Sequence, residues 1–208
     1  MYNKHKRLVF IGAGGHAKVC FEIAKLMGVW DEYIFLDDNL NNENFIINET
    51  LSNYYKYKSN SDFIVSMGSN KYRKKYFSIL NNDNCSIVNL IHPNVVLSSS
   101  LVIGTGNVFM PGVIINANTE IGNCCILNTN VSIDHDSKVG DFVHLSPGTT
   151  LCGGVIIGNK VWIGAGCTVI NNINIENDAI IGAGSLILNN VESNILAFGN
   201  PAKKVRDL

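Results

Sequence analysis

From Ile91 to Ile187 an aliphatic or aromatic residue recurs at every sixth position without an insertion, as in Phe109, Ile115, Ile121, Leu127, Ile133, Val139, Leu145 and Leu151. Four residues after each comes a second, mostly small position: Val113, Thr119, Cys125, Val131, Ser137, Val143 and Thr149 among them. Gly or another small or polar residue often follows the large one directly, as in Ile121-Gly122, Val139-Gly140 and Ile157-Gly158. A period of six is neither the 3.6 of a helix nor the 2 of a strand. It is the period of a triangular parallel β-helix, in which each six-residue unit supplies one short strand and one corner, and three units close a coil. The large residue points inward, the small one fills the corner, and Gly or Asn at a corner accepts left-handed backbone angles. Successive coils then stack at the inter-strand spacing of about 4.8 Å. The seventeen units between Ile91 and Glu192 predict nearly six coils.

Residues 1–90 read differently. Leu8-Val9-Phe10-Ile11 predicts a buried strand, followed by a glycine turn and a helix that runs through Val19, Ile23, Ala24 and Met27. Gly12-Ala13-Gly14-Gly15-His16-Ala17 fits G-x-G-x-x-G/A, whose small residues let backbone N–H groups and a helix N-terminus approach a diphosphate. A second strand, Tyr33–Leu36, ends in Asp37-Asp38, where an acidic side chain would meet a ribose or base. Two further strands, Phe63–Met67 and Ile87–Leu90, flank a basic helix with Lys71, Arg73, Lys74 and Lys75. Gly68-Ser69-Asn70 opens that helix and offers more N–H donors, with Arg73 as a charge partner. This is too short for a full dinucleotide domain, but half such a fold can hold a mononucleotide diphosphate. His16, beside the glycines, is placed to meet a phosphate or the sugar beyond it. Residues 39–62 lack a period and read as a loop with a short helix.

Composition narrows the classes. The 208 residues are 46% hydrophobic, and 16 Lys+Arg stand against 17 Asp+Glu, for a net charge of −1. No basic surplus is available to neutralise a nucleic-acid backbone, and no charged block suits a membrane surface. The apolar run Leu8–Ile11 is too short for a signal peptide or a membrane span, so a cytoplasmic protein with six reduced cysteines is expected. Cys124-Cys125 is adjacent rather than C-x-x-C, which argues against a metal or redox pair.

Two of the five histidines fall within the repeat. His135 comes two residues after inward Ile133 and His144 just before inward Leu145, so both point out of the coil. Nine residues is half a coil, which places them on different sides of the triangle, and three prisms packed side by side would bring His135 of one towards His144 of the next. An exposed histidine flanked by Asp134 and Asp136 suits general-base work, with either carboxylate able to fix the ring tautomer. Asn128 and Gly153-Gly154 lie in the same middle coils. A zinc site would need three converging histidines, and the coil carries two. His92-Pro93 reads as structural, and His5 lies in the terminal tail.

Taken together, these motifs resemble the bacterial sugar acyltransferases that join a small Rossmann-like domain to a left-handed β-helix of hexapeptide repeats, a group of nucleotide-sugar 4-amino N-acetyltransferases and sialic acid O-acetyltransferases. The resemblance rests on Gly12–Lys18, Leu36-Asp37-Asp38, Gly68-Ser69-Asn70 with Arg73, Val88–Pro93, the unbroken hexads, Asp134-His135-Asp136 and Gly199-Asn200-Pro201-Ala202-Lys203. It implies three segments: a nucleotide-sugar-binding domain over 1–90, an acetyltransferase β-helix over 91–192 and a tail over 193–208. It also implies a homotrimer with acetyl-CoA as acyl donor along the groove between neighbouring β-helices, and no metal. His135 would be the general base and Asp136 its orienting carboxylate. His144 would meet the acetyl carbonyl, Asn128 the acceptor sugar, and Gly153, Ala165 and Gly166 the pantetheine arm, with Lys203 reaching the CoA phosphates. The nucleotide would lie on Gly12, Gly14, His16, Asp37, Asp38 and Gly68, with Arg73 beside it. N-acetylation of a nucleotide-linked 4-amino-4,6-dideoxy sugar is the first expectation. O-acetylation of a sialic-type sugar is the second, and a non-catalytic scaffold or regulatory subunit the third.

Overall fold

The structure is a computed structural model that describes residues 7–208; the terminal tail with His5 lies outside the described residues. The chain divides into two compact units, one ending at Pro93 and the other running from Asn94 to Leu208.

The first unit is a parallel α/β layer structure. Its elements are β1 (Arg7–Ile11), α1 (Gly15–Met27), β2 (Glu32–Leu36), β3 (Ser61–Val65), α2 (Asn70–Asn82) and β4 (Ser86–Ile87), with the sheet in the order β2-β1-β3-β4. Leu8, Val9, Phe10, Phe63 and Ile64 are wholly buried, which is why β1 and β3 read as continuous apolar runs rather than alternating ones. Stacked Phe10, Phe35 and Phe45 fill the space beside α1. Between β2 and β3 the chain forms a short 3-10 helix, Leu51–Tyr57, whose Tyr54 hydroxyl donates to Asp83 at 2.7 Å and is pushed up to about 12 by that bond. The chain leaves β1 towards β2 on one side and returns to β3 on the other. The C-terminal ends of β1 and β3 therefore flank a switch point, where such sheets hold ligands.

The second unit is a parallel β-solenoid with two-residue strands on three faces. One face stacks Val102–Ile103, Glu120–Ile121, Lys138–Val139, Ile156–Ile157 and Asn174–Ile175; another runs from Val96–Leu97 to Leu186–Ile187; the third carries His144–Leu145 and Trp162–Ile163. The register is constant, Ile121 beside Val139 and Val139 beside Ile157, so each residue lies over the one eighteen places on. From Phe109 to Ile187 every large residue of the six-residue beat is at most 3% exposed, and the second series from Val113 to Ser185 is buried too, at 1% or less except for Ile173 at 7%. A hairpin, Ile195–Gly199 with Ala202–Asp207, closes the last coil. None of the helices among the described residues is long and apolar enough to cross a membrane.

The glycines have two separate jobs. From Ile103 to Ile181 left-handed angles fall on the third residue after each beat position, where Gly112 (φ 76°) and Gly184 (φ 69°) sit but so do Asn118, Asp136, Phe142 and Lys160. The glycine directly after the beat serves close approach. Along that corner the Asn123 N–H donates to Asp141 Oδ1, the Asp141 N–H to Asn159 Oδ1 and the Asn159 N–H to Asn177 Oδ1, each at 2.7 Å. A Cβ on Gly140 would lie 2.6 Å from Asn159 Oδ1 and 3.0 Å from its backbone nitrogen, so this ladder needs glycine beside it. Gly140→Ala is therefore expected to destabilise by about 1–3 kcal/mol through overpacking against backbone. Gly184→Ala, with no atom within 4 Å, should cost only the left-handed strain, about 1–2 kcal/mol. Chemical denaturation of both variants checks this, and a smaller loss in Gly140→Ala than in Gly184→Ala would contradict it.

Candidate active site

In the solenoid the chemistry gathers at the corner after strand Ser132–Ile133. Ile133 enters the core, and the next three residues turn out of it. Asp134 Oδ1 accepts the His135 backbone N–H at 2.9 Å and so caps the turn. Asp136 adopts φ 57°, a left-handed conformation that short polar side chains tolerate best. That angle swings its carboxylate back to the preceding imidazole, with Oδ2 at 2.7 Å from His135 Nδ1. The two carboxylates that the sequence left open as partners thus have separate tasks: Asp136 holds the ring and Asp134 holds the turn.

The coil before supports both carboxylates. Asn116 Nδ2 donates to Asp134 Oδ1 at 3.0 Å and Asn118 Nδ2 to Asp136 Oδ1 at 3.2 Å. The hydrogen bond from His135 Nδ1 to the Asp136 carboxylate pushes the His135 pKa above its ordinary value, with the charge of Asp134 adding to it. Asp136 is lowered chiefly by His135 and then by Asn118, and Asp134 by the His135 N–H and then by Asn116. With Nδ1 engaged by a carboxylate, Nε2 is the nitrogen left to exchange a proton.

The coil after leaves space for the ring. Gly153 lies one coil on from His135, and a Cβ there would sit 2.8 Å from Cε1 and 2.9 Å from Nε2 of the imidazole. Only glycine admits the histidine in this pose. The resemblance assigns Gly153 to the pantetheine arm; in the structure its neighbour is the His135 ring. The same would-be Cβ lies 3.3 Å from Nδ2 of Asn171, a residue absent from the sequence reading. The signal was available, because 135, 153 and 171 are successive eighteen-residue steps.

His144 lies on a different face. Its ring is parallel to that of Trp162, within 3° and with centroids 5.8 Å apart, and Trp162 Nε1 donates to Ser146 Oγ at 3.0 Å. Asn128 Nδ2 stands 3.4 Å from His144 Nε2, so the structure groups Asn128 with His144 rather than with His135. Ala165 and Gly166 are exposed at the corner after Trp162–Ile163, where Gly166 has φ 66° and open space around it. Lys203 is exposed on the closing hairpin, whereas neighbouring Lys204 is paired with Asp207 at 2.8 Å and Glu192 at 3.5 Å. Among the described residues no group of three or more His, Cys, Asp or Glu side chains is arranged to hold a metal ion.

In the first unit, Gly12 has φ 99°, and a Cβ on it would meet Met67 Cγ at 2.7 Å. Gly14 caps α1 without a side-chain bond, and Ser69 caps α2 in the same way. Two helix N-termini without acidic first turns thus stand at the ends of the adjacent strands β1 and β3, an arrangement that favours an anion. A Cβ on Gly14 or Gly68 would meet nothing within 4 Å, so both leave the approach open. His16 is half-buried at the start of α1, with Nε2 3.4 Å from Cys20 Sγ.

Three of the residues read as nucleotide contacts have structural work instead or as well. Arg73 is 1% exposed and donates to the carbonyls of Gly68 (2.7 Å) and Met67 (3.4 Å) and to Asn70 Oδ1 (2.8 Å). It braces the loop from beneath rather than reaching out of it as a charge partner, because that inward turn satisfies carbonyls at the head of α2. Asp37 accepts the Ala13 N–H at 2.7 Å and the Asn39 N–H at 2.9 Å, which ties the end of β2 to the glycine turn. Asp38 accepts the Leu51 N–H at 3.1 Å.

Comparison with known proteins places this arrangement. Residues 7–80 match the PglD N-terminal domain family, and residues 154–189 match the bacterial transferase hexapeptide family of six repeats. The acetyltransferase domain of PglB from Neisseria gonorrhoeae, solved in complex with acetyl coenzyme A, is 31% identical over 97% of this chain and 100% of its own, with a TM-score of 0.93. PerB from Caulobacter crescentus, solved with CoA and GDP-perosamine, is 34% identical over 96% of this chain and 97% of its own, with a TM-score of 0.90. WeeI from Acinetobacter baumannii, at 22% identity and a TM-score of 0.85, shares the fold. With both units matched in one chain and above 30% identity along almost its full length, this protein belongs to the PglD-type sugar N-acetyltransferases, which join an N-terminal α/β domain to a hexapeptide β-solenoid.

Proposed function

We propose that this chain transfers the acetyl group of acetyl-CoA to the 4-amino group of a nucleotide-linked 4-amino-4,6-dideoxy sugar, with His135 as general base, in sites formed between neighbouring solenoids of a homotrimer. The observation that carries this reading is the 2.7 Å contact between His135 Nδ1 and Asp136 Oδ2 on an exposed corner, which leaves Nε2 free to take a proton. Acetyl-CoA in the PglB domain and CoA with GDP-perosamine in PerB support the two substrate classes. The paired helix N-termini beside Gly14 and Gly68 suit the nucleotide diphosphate. The separation of His135 and His144 onto a corner and a different face supports lateral assembly, in which a neighbour's face completes the groove. A cytoplasmic reaction is part of the same reading.

The chemistry follows from these parts. The amine nitrogen attacks the thioester carbonyl and the C–N bond forms, while Nε2 of His135 accepts the proton that nitrogen gives up. Collapse of the tetrahedral centre breaks the C–S bond, and the proton passes from the imidazolium to the leaving sulfur. The thioester is already activated, so positioning and charge stabilisation suffice and no acyl-enzyme is required. Cys152, half-buried beside Gly153, is a wall of the site.

A thiol-release assay with acetyl-CoA and a panel of UDP-, dTDP-, GDP- and CMP-linked sugars tests the assignment. Turnover is expected with a nucleotide-linked amino sugar, and turnover confined to sialic-type acceptors would overturn it in favour of O-acetylation. His135→Ala is expected to lower kcat on the order of 10²- to 10⁴-fold, the range of a lost general base; an unchanged kcat would remove His135 from that role. Asp136→Asn keeps a residue that tolerates φ 57° but takes away the carboxylate whose hydrogen bond raises the His135 pKa. Neutral imidazole is the active form, so lowering its pKa moves the acidic limb of the kcat/KM profile to lower pH. A limb that stays in place in the Asp136→Asn profile would show that the limb does not report this pair.

A further inference from the structure

The amide of Asn171, like those of Asn130 and Asn172 among the corner asparagines of the solenoid, makes no side-chain hydrogen bond among the described residues, but it alone of these lies one coil on from Gly153 in the column of His135. Asn116, Asn118, Asn123 and Asn159 are each bound into the coil next to them, through their side-chain amide or oxygen. Asn171 is exposed. It is nevertheless aimed at a definite place. Gly153 lies between His135 of the coil before and Asn171 of the coil after, and the point a Gly153 Cβ would occupy is 2.9 Å from His135 Nε2 and 3.3 Å from Asn171 Nδ2. The proton-accepting nitrogen and an unengaged N–H donor are therefore at most about 6 Å apart, on opposite sides of one glycine.

Building on the assignment of His135 as base, we propose that Asn171 is a further catalytic residue, whose Nδ2 donates a hydrogen bond to the acetyl carbonyl oxygen as it becomes an oxyanion. The span matches the transition state. The attacking nitrogen must lie within hydrogen-bond reach of Nε2, and the carbonyl oxygen is bonded to the same carbon that this nitrogen attacks. One donor a few ångströms from Nε2, across the reacting carbon, is what the developing charge requires. An amide left without an internal partner reaches that oxygen without first breaking a bond within the protein. Its neighbours in the ladders could not.

The test compares Asn171→Ala, Asn171→Asp and His135→Ala in the thiol-release assay, with melting curves for each. Both Asn171 variants are expected to melt like the parent, because the side chain is exposed and without a partner. Their kcat should fall by roughly 10²-fold, the usual loss for one oxyanion donor, with the KM values for acetyl-CoA and acceptor nearly unchanged. Asn171→Asp should be no faster than Asn171→Ala, since a carboxylate of the same shape offers no donor to an anion. A parental kcat in both variants would overturn the proposal, as would a loss confined to the acceptor KM. If His135→Ala retains full activity, the base assignment fails; if His135→Ala is slow and Asn171→Ala is not, only the role of Asn171 fails.

Discussion

Everything in the solenoid depends on coils of equal length. The backbone N–H groups of one coil donate to the carbonyls of the next, as Ile114 does to Val131, Ser132 to Thr149 and Thr150 to Cys167. These bonds hold two-residue strands that could not stand alone. One inserted residue between Phe109 and Ile187 would shift every later side chain against its neighbour above. Because none is present, each residue keeps the same neighbour, eighteen places on, along the stack. Columns of side chains then become units that selection can act on, such as Asn123-Asp141-Asn159-Asn177 or His135-Gly153-Asn171.

The columns also explain residues that look misplaced in isolation. Phe142 and Lys160 adopt φ of 60° and 61°, which costs a bulky residue about 1–2 kcal/mol. They are held there because the third position after each beat must turn left-handed for the coil to close. Lys160 is also paired with Asp178, the next residue of its own column. The same logic supplies neighbours for the carboxylates beside His135. Asp134 and Asp136 each stand above an asparagine whose amide donates to them, so a corner with two negative charges is lined by donors from the coil before.

The coil was legible because its signal is a phase, repeated seventeen times, and phase alone decides what points inward. That same phase placed His135 and His144 outside the core and apart. What it could not supply was contact within a column. The role of Gly153 depends on the ring that leans over it, and the sequence shows only that a glycine is there. Arg73 differs for a related reason: the sequence expects a charge partner beside the glycine loop, whereas its position on α2 points the guanidinium down to the Met67 and Gly68 carbonyls. Asn128 was read by its coil and not by its reach. It belongs with His144 because its side chain crosses to the next strand, sixteen residues on. The left-handed positions were expected at corners rich in Gly and Asn, but backbone closure sets them and composition follows only in part.

A histidine on a strand and a histidine at a corner are not equivalent here, and this bears on why His135 and His144 differ. His144 on its strand sits between Ile126 and Trp162, and its ring is held by stacking and by Asn128. The adjacent side chains of Val143 and Leu145 point to the opposite face and are buried, so neither directly neighbouring residue can orient it. At the corner the backbone reverses. Asp136, in the left-handed region, brings its carboxylate against the residue directly before it, a contact that extended strand geometry does not allow. The corner also opens outward, so a ring placed there is exposed while its Nδ1 remains engaged. The constraint that closes each coil therefore also makes the histidine–carboxylate pair, and a glycine one coil later makes the room for it.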